Sequence, residues 1–297
     1  MRTEAGQDIE GFFKGEEMGN IVLLDGAGGT CLWAEAEKNG IEKVATWIYN
    51  IEHPELVASV EKQYLEAGSQ VLLTNTFAAN RPTVERVSKY SVPDVVKKGV
   101  EITKSVVAGT DVKVCLSIGP LPMLMEPYGD LEEDECRDIY EEMINAGVEA
   151  GSDMILFETF IDLAMLKVAV EAGLKKSIPV IASMSFEKVG KTIMGNSVDD
   201  MVKTLEPMGV TALGMNCSLG PDISLPIVKE FYEKASVPVF YKPNAGMPVS
   251  GENGALVSSY SAEDFAKLVE PALQYVGYIG ACSGSDPSYI SAIKKLL

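Results

Sequence analysis

A single-domain (β/α)8 barrel, a TIM barrel of the α/β class, is the fold this sequence predicts. Three observations point to it: short apolar runs rich in Val, Ile and Leu, longer stretches of helical period between them, and polar residues where the runs stop. The runs are Ile21–Leu24, Val71–Thr74, Val112–Ser117, Met154–Phe157, Val180–Ser183, Ala212–Met215, Val239–Tyr241 and Tyr278–Gly280. Near-continuous apolar runs of this length suit strands buried on both faces, as in a parallel sheet. Between them lie helical patterns such as Pro54–Ala67, Asp134–Ala150, Leu163–Ala172 and Ser261–Leu273. Strand alternating with helix eight times is the sequence form of the barrel, whereas a doubly wound sheet more often stops at about five to seven strands. At 297 residues the chain has the length of one such barrel, and no Pro/Gly/Ser-rich linker divides it. The expected organisation is an acidic lead-in over residues 1–19 followed by the barrel over 20–297.

Charge narrows the partners. Forty-three acidic residues against 25 basic ones leave a net charge of −18, which opposes nucleic acid and anionic membranes. No segment approaches the ~20 consecutive apolar residues of a membrane span. The polar N-terminus, with Glu4, Asp8, Glu10, Glu16 and Glu17, does not read as a signal peptide. Five singly scattered cysteines argue against a disulfide framework and for a reducing, cytoplasmic setting.

The chemistry collects where the runs end. Asp25 follows the first, Asn75 the second, Gly119-Pro120 the third and Glu158 the fourth; Asn216-Cys217, Asn244 and Cys282 follow the sixth, seventh and eighth. In a barrel these positions share the C-terminal face, where active sites are built. Other motifs carry less. Gly190-Lys191-Thr192 lacks the first glycine of a phosphate loop, since Ser185 stands there, and reads as a turn. The glycines of Asp25-Gly26-Ala27-Gly28-Gly29-Thr30 let the backbone approach a ligand closely. His53, the only histidine, sits in Glu52-His53-Pro54-Glu55, a helix start. A single histidine also removes Ser-His-Asp catalysis, leaving cysteine and carboxylate as reactive groups. Cys115 and Cys136 read as structural. Cys217 and Cys282 each end a strand amid small and polar residues, so they are either a zinc site with an open position or small residues closing the barrel top.

At these residues the sequence resembles the homocysteine S-methyltransferase family, of the type found in the homocysteine-binding barrel of cobalamin-dependent methionine synthase and in betaine-homocysteine methyltransferase. The matching pieces run in order from Asp25 to Pro287. They include Asp25-Gly26-Ala27-Gly28-Gly29-Thr30, Thr74-Asn75-Thr76-Phe77, Glu158-Thr159-Phe160, Gly214-Met215-Asn216-Cys217-Ser218, Pro243-Asn244-Ala245-Gly246 and Gly280-Ala281-Cys282-Ser283-Gly284. The resemblance implies methyl transfer to the thiol of homocysteine at a zinc–thiolate site. It makes Cys217 and Cys282 the catalytic metal ligands, with the substrate thiol as a further ligand. It also implies that Asp25 and Glu158 hold the substrate ammonium, with Gly26, Ala27, Asn75, Asn216 and Asn244 completing the substrate site.

One departure is plain. Where the family has an adjacent cysteine pair, this chain has Cys282-Ser283, and a neutral hydroxyl is a poorer zinc ligand than a thiolate. Zinc is therefore expected to bind weakly, not at all, or only with substrate, unless Cys31, a carboxylate or water completes the site. The chain also lacks the Asp-x-His-x-x-Gly segment that supplies a cobalt ligand, so a corrinoid, if used, arrives on a separate protein. Two further functions stand beside methyl transfer to homocysteine. One is a corrinoid-protein-dependent methyltransferase for a methylamine or methoxy compound; the other is a non-catalytic amino-acid-binding barrel.

Overall fold

The computed structural model describes residues 21–246, 249–250 and 256–297, so the acidic lead-in expected over 1–19 lies outside the described residues. Each of the eight apolar runs forms a barrel strand. We label them β1 (Val22–Leu23), β2 (Val71–Leu73), β3 (Lys113–Ile118), β4 (Met154–Phe160), β5 (Val180–Met184), β6 (Ala212–Asn216), β7 (Val239–Lys242) and β8 (Tyr278–Ile279). All neighbouring pairs are parallel, in the order β1-β8-β7-β6-β5-β4-β3-β2. A parallel bridge between Leu24 and Val71 joins the two ends of that order and closes the barrel. A short antiparallel pair, Val249–Ser250 with Leu256–Val257, lies in the connection between β7 and β8.

The helices follow from ordinary start and stop chemistry. Helix Pro54–Ala67 opens with proline at its first position, directly after His53, and stops at Gly68 with φ of 104°. That left-handed value suits glycine, which pays no Cβ penalty there. Helix Val198–Leu205 opens with a reciprocal capping box between Ser197 and Asp200. Helix Leu163–Leu174 is capped by the Asp162 side chain.

Strand alternation sorts the barrel into shells. Residues pointing outward, such as Ile155, Phe157, Leu213 and Tyr241, join the large core under the helices. Those pointing inward form a separate apolar cluster of Val22, Leu24, Val71, Cys115, Met154, Leu156, Ile181, Ala212, Phe240 and Tyr278. Both faces are buried, which is why the strands read as near-continuous apolar runs. Cys115 is thereby structural, as expected, and so is Cys136 in the core.

Period two carries the interior one step further. Two residues beyond Cys115, Leu156, Ile181 and Phe240 stand Ser117, Glu158, Ser183 and Lys242, all buried. Asn216 holds the corresponding position on β6. The barrel is thus filled by apolar layers and capped, at its C-terminal end, by a polar one. Strand ends differ slightly from the sequence reading. β4 continues to Phe160 through a register shift between Phe157 and Phe160, so Glu158 lies inside the strand rather than after it. β7 continues to Lys242, a residue that the apolar run did not include.

Candidate active site

A cavity of ≈ 500 Å³ opens on the polar layer, lined among others by Asp25, Asn75, Glu158, Cys217, Lys242 and Cys282. The strand ends therefore bring together residues separated by nearly the whole chain. Gly26 and Ala27 line it too. A Cβ on Gly26 would lie 2.7 Å from Ser285 Oγ and 2.8 Å from Tyr64 Oη, so only glycine lets this loop pass.

Lys242 is the residue that the sequence reading missed. Its ammonium donates to Asp25 Oδ1 at 2.8 Å, with both side chains buried. Burial works against the ammonium's charge, but the carboxylates of Asp25 and Glu158 hold its pKa above the ordinary lysine value. Both Asp25 oxygens are engaged, since the second accepts from the Leu73 backbone N–H at 2.8 Å. Glu158 is less committed. Its Oε1 accepts from Ser117 Oγ at 2.6 Å, while Oε2 has only a long 3.4 Å contact from Asn216 Nδ2. Burial raises the Glu158 carboxyl above its usual range, with Lys242 and the Ser117 hydroxyl opposing.

Asn216 does not line the cavity; it braces the groups that do. Its Oδ1 accepts from Thr159 N–H (2.8 Å) and Ser183 Oγ (2.7 Å), and its Nδ2 donates to Thr159 Oγ1 at 2.8 Å. The same amide approaches Cys282 Sγ at 3.9 Å. Asn75 lines the cavity while its amide donates to Thr46 O (2.7 Å) and Asn50 Oδ1 (2.8 Å). Asn244 lies outside the lining; its backbone N–H donates to Leu219 O at 3.0 Å, and its Oδ1 is buried without a hydrogen-bond partner among the described residues.

The two thiols meet. A hydrogen bond from Cys282 holds the Cys217 thiol down to about 6, against the effect of burial, with help from Ser283, the Ser218 N–H and Asn244. That same bond, together with burial and the charge on Cys217, pushes Cys282 well up. The two thiols are thus pushed in opposite directions, Cys217 toward the thiolate and Cys282 toward the thiol. Ser283 Oγ lies 3.5 Å from Cys217 Sγ. Cys31 is not brought to this pair. It lies on helix Gly28–Lys38, 3.3 Å from Tyr64 Oη and 3.7 Å from Ser285 O, and lines a separate cavity. Among the described residues no group of three or more His, Cys, Asp or Glu side chains is placed to hold a metal.

Backbone strain concentrates here as well. Among the described residues, the non-glycine positions with positive φ are Thr159 (66°), which follows Glu158, and Cys217 (62°) with its neighbour Ser218 (53°). Each costs on the order of 1–3 kcal/mol, and such strain clusters at functional sites.

A family model described as Homocysteine S-methyltransferase matches residues 22–297. The chain belongs to the homocysteine S-methyltransferase family. Methionine synthase of Mycobacterium tuberculosis is 31% identical over 298 residues, covering 92% of this chain and 24% of the relative. The Mycobacterium leprae methionine synthase gives 31% over 301 residues with the same coverage, so the chain spans about a quarter of the length of these relatives. Among solved structures, the homocysteine methyltransferase MmuM from Escherichia coli superposes in its apo form with a TM-score of 0.72, at 22% identity and covering 94% of this chain and 96% of that one. Its metallated form gives 0.74 at 21% identity, covering 93% and 96%. At these identities the structures show a shared fold.

Proposed function

We propose that this protein transfers a methyl group to the thiol of homocysteine in the cavity above the polar layer. The observation that carries the reading is the pairing, in one cavity, of a carboxylate with an uncommitted oxygen, Glu158, and a two-sulfur corner, Cys217 and Cys282. Glu158 Oε2 takes the substrate ammonium, because a buried ammonium needs paired charge and hydrogen bonds. Asp25, whose oxygens are engaged, acts through Lys242. The lysine has spent one of its three donors on Asp25, and the others are suited to the substrate carboxylate. Gly26 and Ala27 let the ligand lie against the first loop, while Asn75, Asn216 and Asn244 hold the walls.

Two sulfurs and a hydroxyl make a donor set that fits zinc but stops one thiolate short of the three-sulfur cage. Cys217 and Cys282 would hold the ion, and the homocysteine sulfur would be its third sulfur ligand. When bound, zinc supplies positive charge that lowers the pKa of the substrate thiol. The attacking sulfur then forms the S–CH3 bond while the donor keeps the electron pair of the bond that breaks, which yields methionine. The donor is a small methylated compound or a methylated carrier; a corrinoid would come on a separate protein. The free thiols of all five cysteines support a reducing compartment such as the cytoplasm. The described residues contain no helix long and apolar enough to cross a membrane. The test is isothermal titration of the full chain with homocysteine, with and without zinc. Binding that tightens with zinc is expected; absence of binding in both arms sinks the reading.

A further inference from the structure

The ion pair between Asp25 and Lys242 changes what the site can demand of its acceptor. Lys242 lies two residues beyond the inward-pointing Phe240 on β7 and lines the cavity with Asp25, Glu158 and Cys282. Among the described residues its ammonium makes one hydrogen bond, to Asp25 Oδ1. An ammonium carries three N–H donors, so two of them lack a protein partner on a side chain only 2% exposed. Lysine is almost never buried so far without pairing, and buried donors are ordinarily satisfied. A carboxylate in the cavity would offer both missing acceptors in one charged group.

For a substrate ammonium the site is less well equipped. Lys242 and the Leu73 N–H engage both Asp25 oxygens, which leaves Glu158 Oε2 as the one carboxylate oxygen available. The two charged ends of an amino-acid acceptor therefore differ in consequence. Without a ligand ammonium, Asp25 is still neutralised by Lys242, and the Glu158 carboxyl, raised by burial, can hold a proton. Without a ligand carboxylate, two Lys242 donors stay stranded. The lysine does not shed its charge, because Asp25 and Glu158 outweigh burial and hold its pKa above the ordinary value. A stranded buried cation costs more than a neutral carboxylic acid.

We propose that Lys242 is the specificity-determining residue of the acceptor site, which takes thiol carboxylates with or without an α-amino group and rejects thiols that carry the amine alone. This rests on reading the cavity as the site of the thiol acceptor, and it widens the acceptor class to mercapto acids. The experiment titrates the full chain at neutral pH, with zinc held constant, against homocysteine, 4-sulfanylbutanoate and 3-sulfanylpropylammonium. All three share the thiol and its carbon chain; the second lacks the ammonium and the third lacks the carboxylate. 4-Sulfanylbutanoate should bind within about tenfold of homocysteine. 3-Sulfanylpropylammonium should bind at least about tenfold more weakly than 4-sulfanylbutanoate, since each stranded donor forfeits a charged hydrogen bond. The double variant Asp25→Asn/Lys242→Met removes both charges of the pair together, and the preference for 4-sulfanylbutanoate should shrink at least about tenfold in it. Equal affinity of the natural chain for the two single-charge thiols, or a preference for the amine, overturns the proposal whether or not the double variant folds. So does a preference that the folded double variant keeps. If homocysteine binds and 4-sulfanylbutanoate does not, the acceptor reading stands and the selectivity assigned to Lys242 falls. If none of the three binds, both fall.

Discussion

Two layers of the same barrel interior, one residue pair apart along the strands, have opposite chemistry. Met154 and Leu156 on β4 and Phe240 on β7 belong to a dry apolar cluster that fills the barrel. Two positions beyond Leu156 and Phe240 come Glu158 and Lys242, and with them the polar layer that faces the cavity. The lower layer is held by non-directional burial, so its members are replaceable by others of similar volume. The upper layer is held by a lysine, two carboxylates and a braced amide whose geometry is specific, and where removing one partner strands another. The difference teaches where this fold spends stability and where it keeps reactivity.

The largest effect should come from Lys242→Met. It leaves Asp25 as an uncompensated buried charge, and such losses cost about 3–5 kcal/mol. Chemical denaturation should show that loss and should recover most of it in the double variant Asp25→Asn/Lys242→Met. A Lys242→Met protein as stable as the natural one would mean that the ion pair does not hold this layer. Met154→Ala is the counterpart below. Cavity formation should cost about 2–5 kcal/mol of stability by the same measurement, with homocysteine affinity of the folded protein retained. Should that affinity fall sharply, the two layers are not separable.

Within the polar layer, Glu158→Gln should weaken homocysteine binding by about 1.5–3 kcal/mol, the worth of a charged hydrogen bond, while stability changes little. The pH dependence has a definite sign. Burial raises the Glu158 carboxyl, so the carboxylate that takes the ammonium is lost as pH falls at a higher pH than for an ordinary glutamate. Calorimetric titrations below neutral pH should show affinity declining there, and the decline should vanish in Glu158→Gln. Ser283→Cys restores the adjacent cysteine pair with little change in side-chain size. Zinc affinity should rise at least tenfold, about 1.4 kcal/mol, in competition with a chelator; an unchanged affinity would show that another ligand already completes the site. The smallest readout is kinetic. In metal-free protein, alkylation of Cys217 should rise through pH about 6, whereas an unperturbed thiol titrates at 9.0. A midpoint near the ordinary thiol value would show that Cys282 does not donate to Cys217.

Much of this was legible in the residues. Eight apolar runs mark eight strands because parallel barrel strands are buried on both sides. Asp25, Glu158, Cys217 and Cys282 could be assigned to one face because strand ends in a barrel converge. Lys242 could not be read the same way. It follows Val239-Phe240-Tyr241 as if it were the first solvated residue after a strand, and lysine is almost never fully buried unless paired. Its partner, Asp25, is 217 residues away in sequence.

The sequence by itself determined what depends on local period and on residue type. That covers the alternation of strand and helix, the loops that need glycine, and the family to which the strand-end motifs belong. Only the tertiary structure decided the pairings. It paired Asp25 with Lys242, left Glu158 Oε2 with one long contact, set the Cys217 and Cys282 thiols to shift in opposite directions, and turned Cys31 toward Tyr64 and away from them. Those outcomes depend on distances of a few ångströms between groups from different strands. Hydrogen bonds and buried charges respond to such distances steeply, and no one-dimensional spacing encodes them.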